Sequence, residues 1–464
     1  MVVNDDAGIL YARVALLSIA SRLAPTGGDI SSAMTRKDLM KSIHPLILLA
    51  LAGNATQALA GGIQLYEVGQ EGAGLANAGS AALASDPSVL MSNPAGIAAL
   101  EGTQVSLNGQ AVLGDLGFER DSGNDFSGNE GGNPLPILPG SSFFISHAVN
   151  DRASIGFGLY GNFGLSVDYG DDWAGRYFTQ KSTLLGVSMQ PTFAYKINDD
   201  LSFGIGPRLV YGYYNTEMAV DNNALLPVSP FKQDGQLQYK DTTTGVGLNL
   251  GLRYQLDART TLGLAYTSKV KLDFEDSPQA SGIRNPLLQQ ALSGLQANDL
   301  ELDMNIPQTL TLSVAHQLND QWTLLGSANW QDWSDFGDIG VSVDTAGGSP
   351  SGTVSRQYQD TWHLSFGAQN QLSPKLRWNM GVAYDSSAVK DKDRTVDNPM
   401  NETWRLATGL NYKLAEDMDV NLSYTLVWLG DMDVQQRKRS GETLSGTYPD
   451  SALHIIGGGV TWRF

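Results

Sequence analysis

From about residue 103 to the end of the chain, apolar and polar side chains alternate with a period of two in segment after segment. Leu201, Phe203, Ile205, Pro207, Leu209 and Tyr211 fall on one face of such a segment, with Ser202, Gly204, Gly206, Arg208 and Gly212 on the other. The same alternation runs through Val246 to Leu256, Trp404 to Leu414 and Met418 to Trp428. Period two with one apolar face predicts strands buried on one side. Because the opposite face carries glycine, serine and charge, these strands are expected to back onto a polar lumen.

Between the strands a short motif recurs: AVNDRAS (148–154), KINDDLS (196–202), QLDARTT (255–261), QLNDQWT (317–323), QLSPKLR (371–377) and KLAEDMD (413–419). Each places Asn, Asp, Ser or Pro where a tight turn favours it. Long polar stretches separate these turns, at 114–140, 219–239, 276–300, 334–356 and 386–400. Short turns on one rim and long loops on the other are the pattern of outer-membrane barrels. A soluble β-sandwich would explain the alternation but not that asymmetry. With both termini on the short-turn rim, six turns join seven hairpins, which predicts an all-β, 14-stranded antiparallel transmembrane barrel. The last segment, HIIGGGVTWRF, puts His454, Ile456, Val460, Trp462 and the terminal Phe464 on one face, which resembles the signal read by the barrel assembly machinery.

Composition agrees. Of 464 residues 42% are apolar and only 17% charged, with 52 glycines and 17 tyrosines, as expected of many strands and turns. Beyond the N-terminus no run of apolar residues is long enough for a membrane helix. A formal charge of −18 without a basic stripe argues against nucleic acid as a partner. The absence of cysteine removes disulfides, thiolate metal sites and cysteine nucleophiles. Arg36, Lys37 and Lys41, then Ile43–Leu51, then Ala58-Leu59-Ala60 form the basic, apolar and small-residue regions of a secretory signal. The expected division is therefore an over-called extension (1–33), a signal peptide (34–60) starting at Met34, a plug (61–100) and the barrel (101–464).

No catalytic constellation is visible. His44, His147, His316, His363 and His454 are dispersed, with no HExxH motif and no Ser–His pair placed for a phospholipase. Gly72-Ala-Gly74 has the wrong spacing for a dinucleotide loop, since the next glycine is Gly79 and no βαβ unit follows. The acidic run from Asp121 to Glu130 lacks the calcium-loop pattern. No enzyme activity, metal or cofactor is expected.

The stretch GGIQLYEVGQEGAGLANAGSAALASDPSVLMSNPAG (61–96), crowded with small residues, and YGNFGLSVDYGDDWAGRYF (160–178) resemble the FadL/TodX family of outer-membrane transporters of long-chain fatty acids and hydrophobic compounds. The resemblance covers essentially all of 61–464. It implies a barrel plugged by an N-terminal hatch, with cargo passing from an outer groove to a deep pocket and out sideways at a kink in the third strand. No cofactor is implied, because diffusion down a gradient drives transfer. Residue by residue, the deep pocket falls at Ile63, Met218 and Gln359, the gate at Asn93, Pro94 and Ala95, and the kink at Phe163 and Gly164. A glycine in a strand that should be continuous independently suggests a bulge there, or simply room for the plug.

Fatty-acid-carrying members hold the carboxylate with an Arg and a Lys, and those positions fall at Met218 and Gln359, neither of which pairs with an anion. Arg208 and Arg356 lie near enough in sequence to substitute, although lumenal arginines ordinarily pair with acids of the wall. Uncharged hydrocarbons thus remain open as cargo. In the 276–300 loop, Asn285-Pro286 begins a helix whose Leu287, Leu288, Ala291, Leu292 and Leu295 form one apolar stripe. With Leu226 and Phe231 opposite, this stripe either lines an outer groove or packs on the rim. The expected partners are a hydrophobic small molecule, outer-membrane lipid and lipopolysaccharide, and the barrel assembly machinery, with the protein a monomer. The alternatives are a structural or adhesive barrel, or a phage or host receptor, with a permanently closed plug, and a polar-solute porin that the plug would obstruct.

Overall fold

The structure, a computed structural model, describes residues 66–464 apart from 70, 71, 73, 136, 225, 227, 228, 344–350, 439 and 440. The expected extension, the signal peptide and Ile63 lie outside the described residues.

Fourteen antiparallel strands form the wall. They are β1 (Thr103–Asp115), β2 (Leu138–Ala148), β3 (Ala153–Asp168), β4 (Lys181–Lys196), β5 (Leu201–Val220), β6 (Gly235–Gln255) and β7 (Thr260–Thr267). They continue as β8 (Thr309–Gln317), β9 (Trp322–Gln331), β10 (Thr361–Ser373), β11 (Leu376–Asp385), β12 (Thr403–Lys413), β13 (Met418–Arg437) and β14 (Thr443–Arg463). Each pairs with the next, and β1 pairs with β14 from Gln104–Arg463 to Asp115–Ala452, which closes the ring. No edge strand is left, as spanning a bilayer demands.

All six short turns sit where the recurring motif places them. Asn150 Oδ1 accepts from the N–H groups of Arg152 and Ala153; Asn198, Asp257 and Asn319 repeat the pattern two and three residues on. Leu209, Tyr211, Val246, Phe366, Leu406 and Leu422 are exposed on the outer face, where hydrocarbon would meet them. Trp330 is opposite Trp362 and Trp404 opposite Trp428, a row fit for a membrane interface.

The expected polar loops at 276–300 and 334–356 are only partly loops. Beyond breaks at 268–269 and 307–308, β7 and β8 continue as Val270–Asp276 and Leu300–Ile306. Asp338–Val343 and Ser351–Ser355 likewise extend β9 and β10, and the four pieces form a second sheet. That sheet leans into the barrel mouth. A Cβ on Gly245 would meet Lys271 O at 2.4 Å, and the Phe274 ring lies 5.7 Å from that of Tyr214. Their short apolar alternation (Leu272 and Phe274; Leu300, Leu302, Met304 and Ile306) is buried, and it had been masked by the polar sequence around it.

Inside the opposite end lies the plug. It contains α1 (Val89–Ser92), a 3₁₀ turn at Pro94–Ala99, and tight turns of small residues before them. The other α-helices among the described residues are α2 (Pro286–Gln296) and α3 (Trp333–Phe336), both on the outer side.

Candidate functional site: a cavity between plug and cap

The plug is seated by backbone contact. Asn93 is fully buried: its Nδ2 donates to Ala81 O at 2.6 Å and to Leu252 O of β6 at 2.9 Å, while Oδ1 accepts from Ala95 N–H at 3.0 Å. This closeness requires glycine in the wall. A Cβ on Gly251 would sit 1.9 Å from Asn93 Oδ1, and one on Gly204 of β5 would sit 2.2 Å from Ala95 N. Wall side chains supply the remaining partners: Gln190 Nε2 donates to Leu90 O at 2.7 Å, and Asn249 Nδ2 donates to Met91 O at 2.7 Å.

A buried ionic cluster ties down the start of the plug. Arg405 of β12 contacts Glu67 Oε1 at 3.1 Å and Asp385 Oδ2 of β11 at 2.8 Å. Asp385 Oδ1 lies 2.7 Å from His363 Nδ1 of β10, and Thr403 Oγ1 donates to Asp385 Oδ2 at 2.9 Å. The Arg405 guanidinium stands 4.9 Å from the Tyr66 ring centroid, and Gln331 Nε2 donates to Tyr66 OH at 2.6 Å. With every charge opposed by another, the cluster tolerates its burial.

Above the plug is a cavity of about 60 Å³. Tyr66, Met91 and Ser92 form its floor, Tyr160, Phe163 and Arg208 part of its wall, and Ile306 and Pro307 its roof. Arg208 is buried; Nη2 donates to Ser188 Oγ at 3.2 Å, Nε has no acceptor, and no carboxylate lies within ion-pair distance among the described residues. Burying a cation without a counter-charge is unfavourable, which makes this position unusual.

Phe163 belongs to a break in the wall. Along β3 the inward positions are Ser154, Gly158 and Tyr160; then the register against β4 slips between Gly161 and Phe163. The extra residue swaps the faces, so Phe163, Leu165 and Val167 are buried. A Cβ on Gly164 would press on Leu184 O at 2.9 Å. Pairing of β2 with β3 ends at Ser142–Tyr160, and the next backbone bond is Asp168 N–H to Pro134 O at 2.7 Å. Between these points no β2–β3 pairing is formed among the described residues.

The residues singled out from the sequence are distributed unevenly over this frame. Phe163 lines the cavity and Gly164 follows the bulge. Asn93, Pro94 and Ala95 do not sit against Gly164; their neighbours are Gly204 and Gly251, whereas Gly164 abuts Leu184 and Leu185. Met218 and Gln359 do not share a pocket. Met218 is buried in the outer apolar core, and Gln359 is exposed on the segment joining the second sheet to β10, its Nε2 donating to Ser387 O at 3.0 Å. Of the two arginines, Arg356 is tied to Asp397 at 2.9 Å, leaving Arg208 as the cavity's cation. In α2, capped by Asn285 accepting from Leu287 N–H at 2.9 Å, Leu288, Ala291, Leu292 and Leu295 pack into the apolar core while Leu287 is exposed. Leu226 and Phe231 are half-buried. The stripe thus packs on the rim rather than lining an open groove.

Sequence reasoning did not single out Tyr66, Glu67, Met91, Tyr160, Asp385 or Arg405. A signal existed for one of them: Arg405 lies between Trp404 and Leu406, so alternation alone points this charge into the lumen.

A closed barrel with short turns on one rim, an outward apolar face and an internal plug is an outer-membrane protein of Gram-negative bacteria. Residues 51–464 match the family described as outer membrane protein transport protein (OMPP1/FadL/TodX), and the chain belongs to that family. It is 27% identical to outer membrane protein P1 of Haemophilus influenzae, over 90% of this chain and 96% of that protein. It is 26% identical to a long-chain fatty acid transport protein of Escherichia coli, over 84% and 92%. In fold it is similar to a Pseudomonas aeruginosa FadL homologue (TM-score 0.78, 21% identity, 87% of this chain and all of that one). The Ralstonia pickettii toluene transporter TbuX shares the fold at a TM-score of 0.63, with 20% identity over 86% and 99%.

Proposed function

We propose that this protein carries hydrophobic small molecules with an acidic head, the long-chain fatty acids, passively across the outer membrane. Cargo passes from the apolar compartment under the second sheet into the cavity above the plug and leaves sideways where the β2–β3 ladder is open. One arrangement carries this proposal: Arg208, buried and without a carboxylate partner among the described residues, shares the cavity with Phe163 of the bulge. A carboxylate arriving there supplies the missing counter-charge, and its chain lies against Phe163 and Ile306. Small-molecule pockets usually measure ~300–1,000 Å³. At about 60 Å³ the cavity is too small for such cargo, so loading requires the plug or the roof to shift.

Uptake of labelled oleate and labelled alkylbenzene by proteoliposomes tests this. Arg208→Gln is expected to lower oleate uptake tenfold or more and to spare alkylbenzene. Unchanged uptake of both would remove Arg208 as the carboxylate's partner and shift the assignment to uncharged hydrocarbons, the cargo named for the toluene transporter TbuX. Uptake of neither by the wild type would leave a barrel with a permanently shut plug, serving adhesion or as a receptor.

A further inference from the structure

On the short-turn rim, a pocket of about 280 Å³ lies between the plug and the wall strands β10 to β14. It faces the periplasm, because short turns do so in bacterial barrels. Ser85 and Asp86 of the plug form one side. The other side carries Arg377, Lys413 and Arg463, with Lys375 at the turn between β10 and β11. Strand register explains the clustering: Arg377 is opposite Asn411, and Lys413 is opposite Asp419.

The charges do not cancel. Arg463 is paired with Asp419 at 2.6 Å. Lys375, Arg377 and Lys413 have no carboxylate within ion-pair distance among the described residues, and Arg377 Nε is buried without an acceptor. Asp86 is the remaining acid in the lining, and it already accepts from Ser88 N–H at 2.8 Å. Four cations thus meet two acids in a chain whose formal charge is −18. Gln369, Gln371, Asn379 and Asn411 add neutral polar groups to the lining. A concave, polar, positively charged pocket of this size suits an oxyanion, which guanidinium and ammonium groups bind through charge-assisted hydrogen bonds.

We propose that this pocket is an oxyanion-binding site on the periplasmic face, taking either the carboxylate of an amphipathic acid or a free inorganic anion such as phosphate. The first source rests on the transport proposal; the site itself does not.

Calorimetric titration of the purified full chain in zwitterionic detergent, at low salt, with inorganic phosphate and separately with octanoate tests the site. The wild type is expected to bind at least one, and Arg377→Gln with Lys413→Gln to weaken that binding tenfold or more. Should the Arg377 change impair assembly, Lys375→Gln with Lys413→Gln, both on the exposed rim, provides the same reading. Loss confined to phosphate identifies a free anion, and loss of octanoate identifies an amphipath. The proposal is overturned if the wild type binds neither anion, or if the double variant binds as the wild type does. If octanoate is the one anion bound, and its binding disappears in Arg208→Gln yet survives the double change, the proposal is likewise overturned while the transport proposal stays intact.

Discussion

The two halves of the lumen are filled by different physics. On the outer side Trp333, Phe336, Phe163, Tyr214, Phe274 and the leucines of α2 form one apolar cluster. On the periplasmic side the filling is a plug of small residues, held by backbone hydrogen bonds, glycine sockets and the Arg405 cluster. Hydrophobic contact is non-directional, so a greasy guest can replace one neighbour with another at little cost. The plug's contacts are directional and spaced to a few tenths of an ångström, so they hold one position or release. The outer half is held by non-directional contacts, the inner half by directional ones. Tyr66 belongs to both, as floor of the cavity and as part of the ionic cluster.

That contrast can be broken most severely at a socket. Gly251→Val drives side-chain atoms into the space of Asn93, so the plug should leave its seat while the barrel still closes. Planar-bilayer recordings should then show a persistent conductance absent from the wild type; a silent variant would mean that the plug does not depend on this contact. Next in size is Arg405→Ala, which strands Glu67 and Asp385 without their cation. Removing one member of a buried pair costs about 3–5 kcal/mol, and denaturant titration of the folded barrel should find a loss of that order.

The smallest effect is one of pH. Burial pushes the Asp86 carboxyl above the ordinary carboxylate value. Its folded form therefore holds a proton more tightly than the unfolded chain does, and ionisation disfavours the seated plug. As pH falls through the raised value, this residue's contribution should turn in favour of the plug. Hydrogen exchange of residues 85–92 in wild type and Asp86→Asn, compared from neutral to mildly acidic pH, isolates the effect. The wild type should gain protection relative to the variant as pH falls.

The wall was readable because its rules are local. Period-two alternation and an Asn or Asp three residues before a strand act within a few positions, and both survive in β5, β6 and the turns at 150, 198, 257 and 319. The second sheet was not, because Leu272 to Phe274 and Leu300 to Ile306 are short apolar runs in polar surroundings, and only folding over the mouth buries them. Nor could the ionic cluster be seen, since Glu67 and Arg405 are 338 positions apart. The deep pocket that the resemblance implies at Met218 and Gln359 draws on side chains the fold treats differently, Met218 buried in the outer apolar core and Gln359 exposed ahead of β10. Residues 356–360 between the second sheet and β10 have no regular structure, and Gln359 is exposed there. Arg208 was legible as a lumenal position, but not as the cation without an acid.

The seam between β1 and β14 carries a consequence for the order of assembly. Thr103 N–H donates to Phe464 O at 3.3 Å, and Phe464 N–H donates to Thr103 O at 2.8 Å, so the ring is completed by the chain's last residue. Contacts between such distant positions form slowly, since the intervening loop must be ordered first. The plug is made earlier than either partner of the seam, yet it ends enclosed by it. Residues 66–100 therefore either pack before the seam zips or enter through the open rim afterwards, since the finished wall is hydrogen-bonded along the seam.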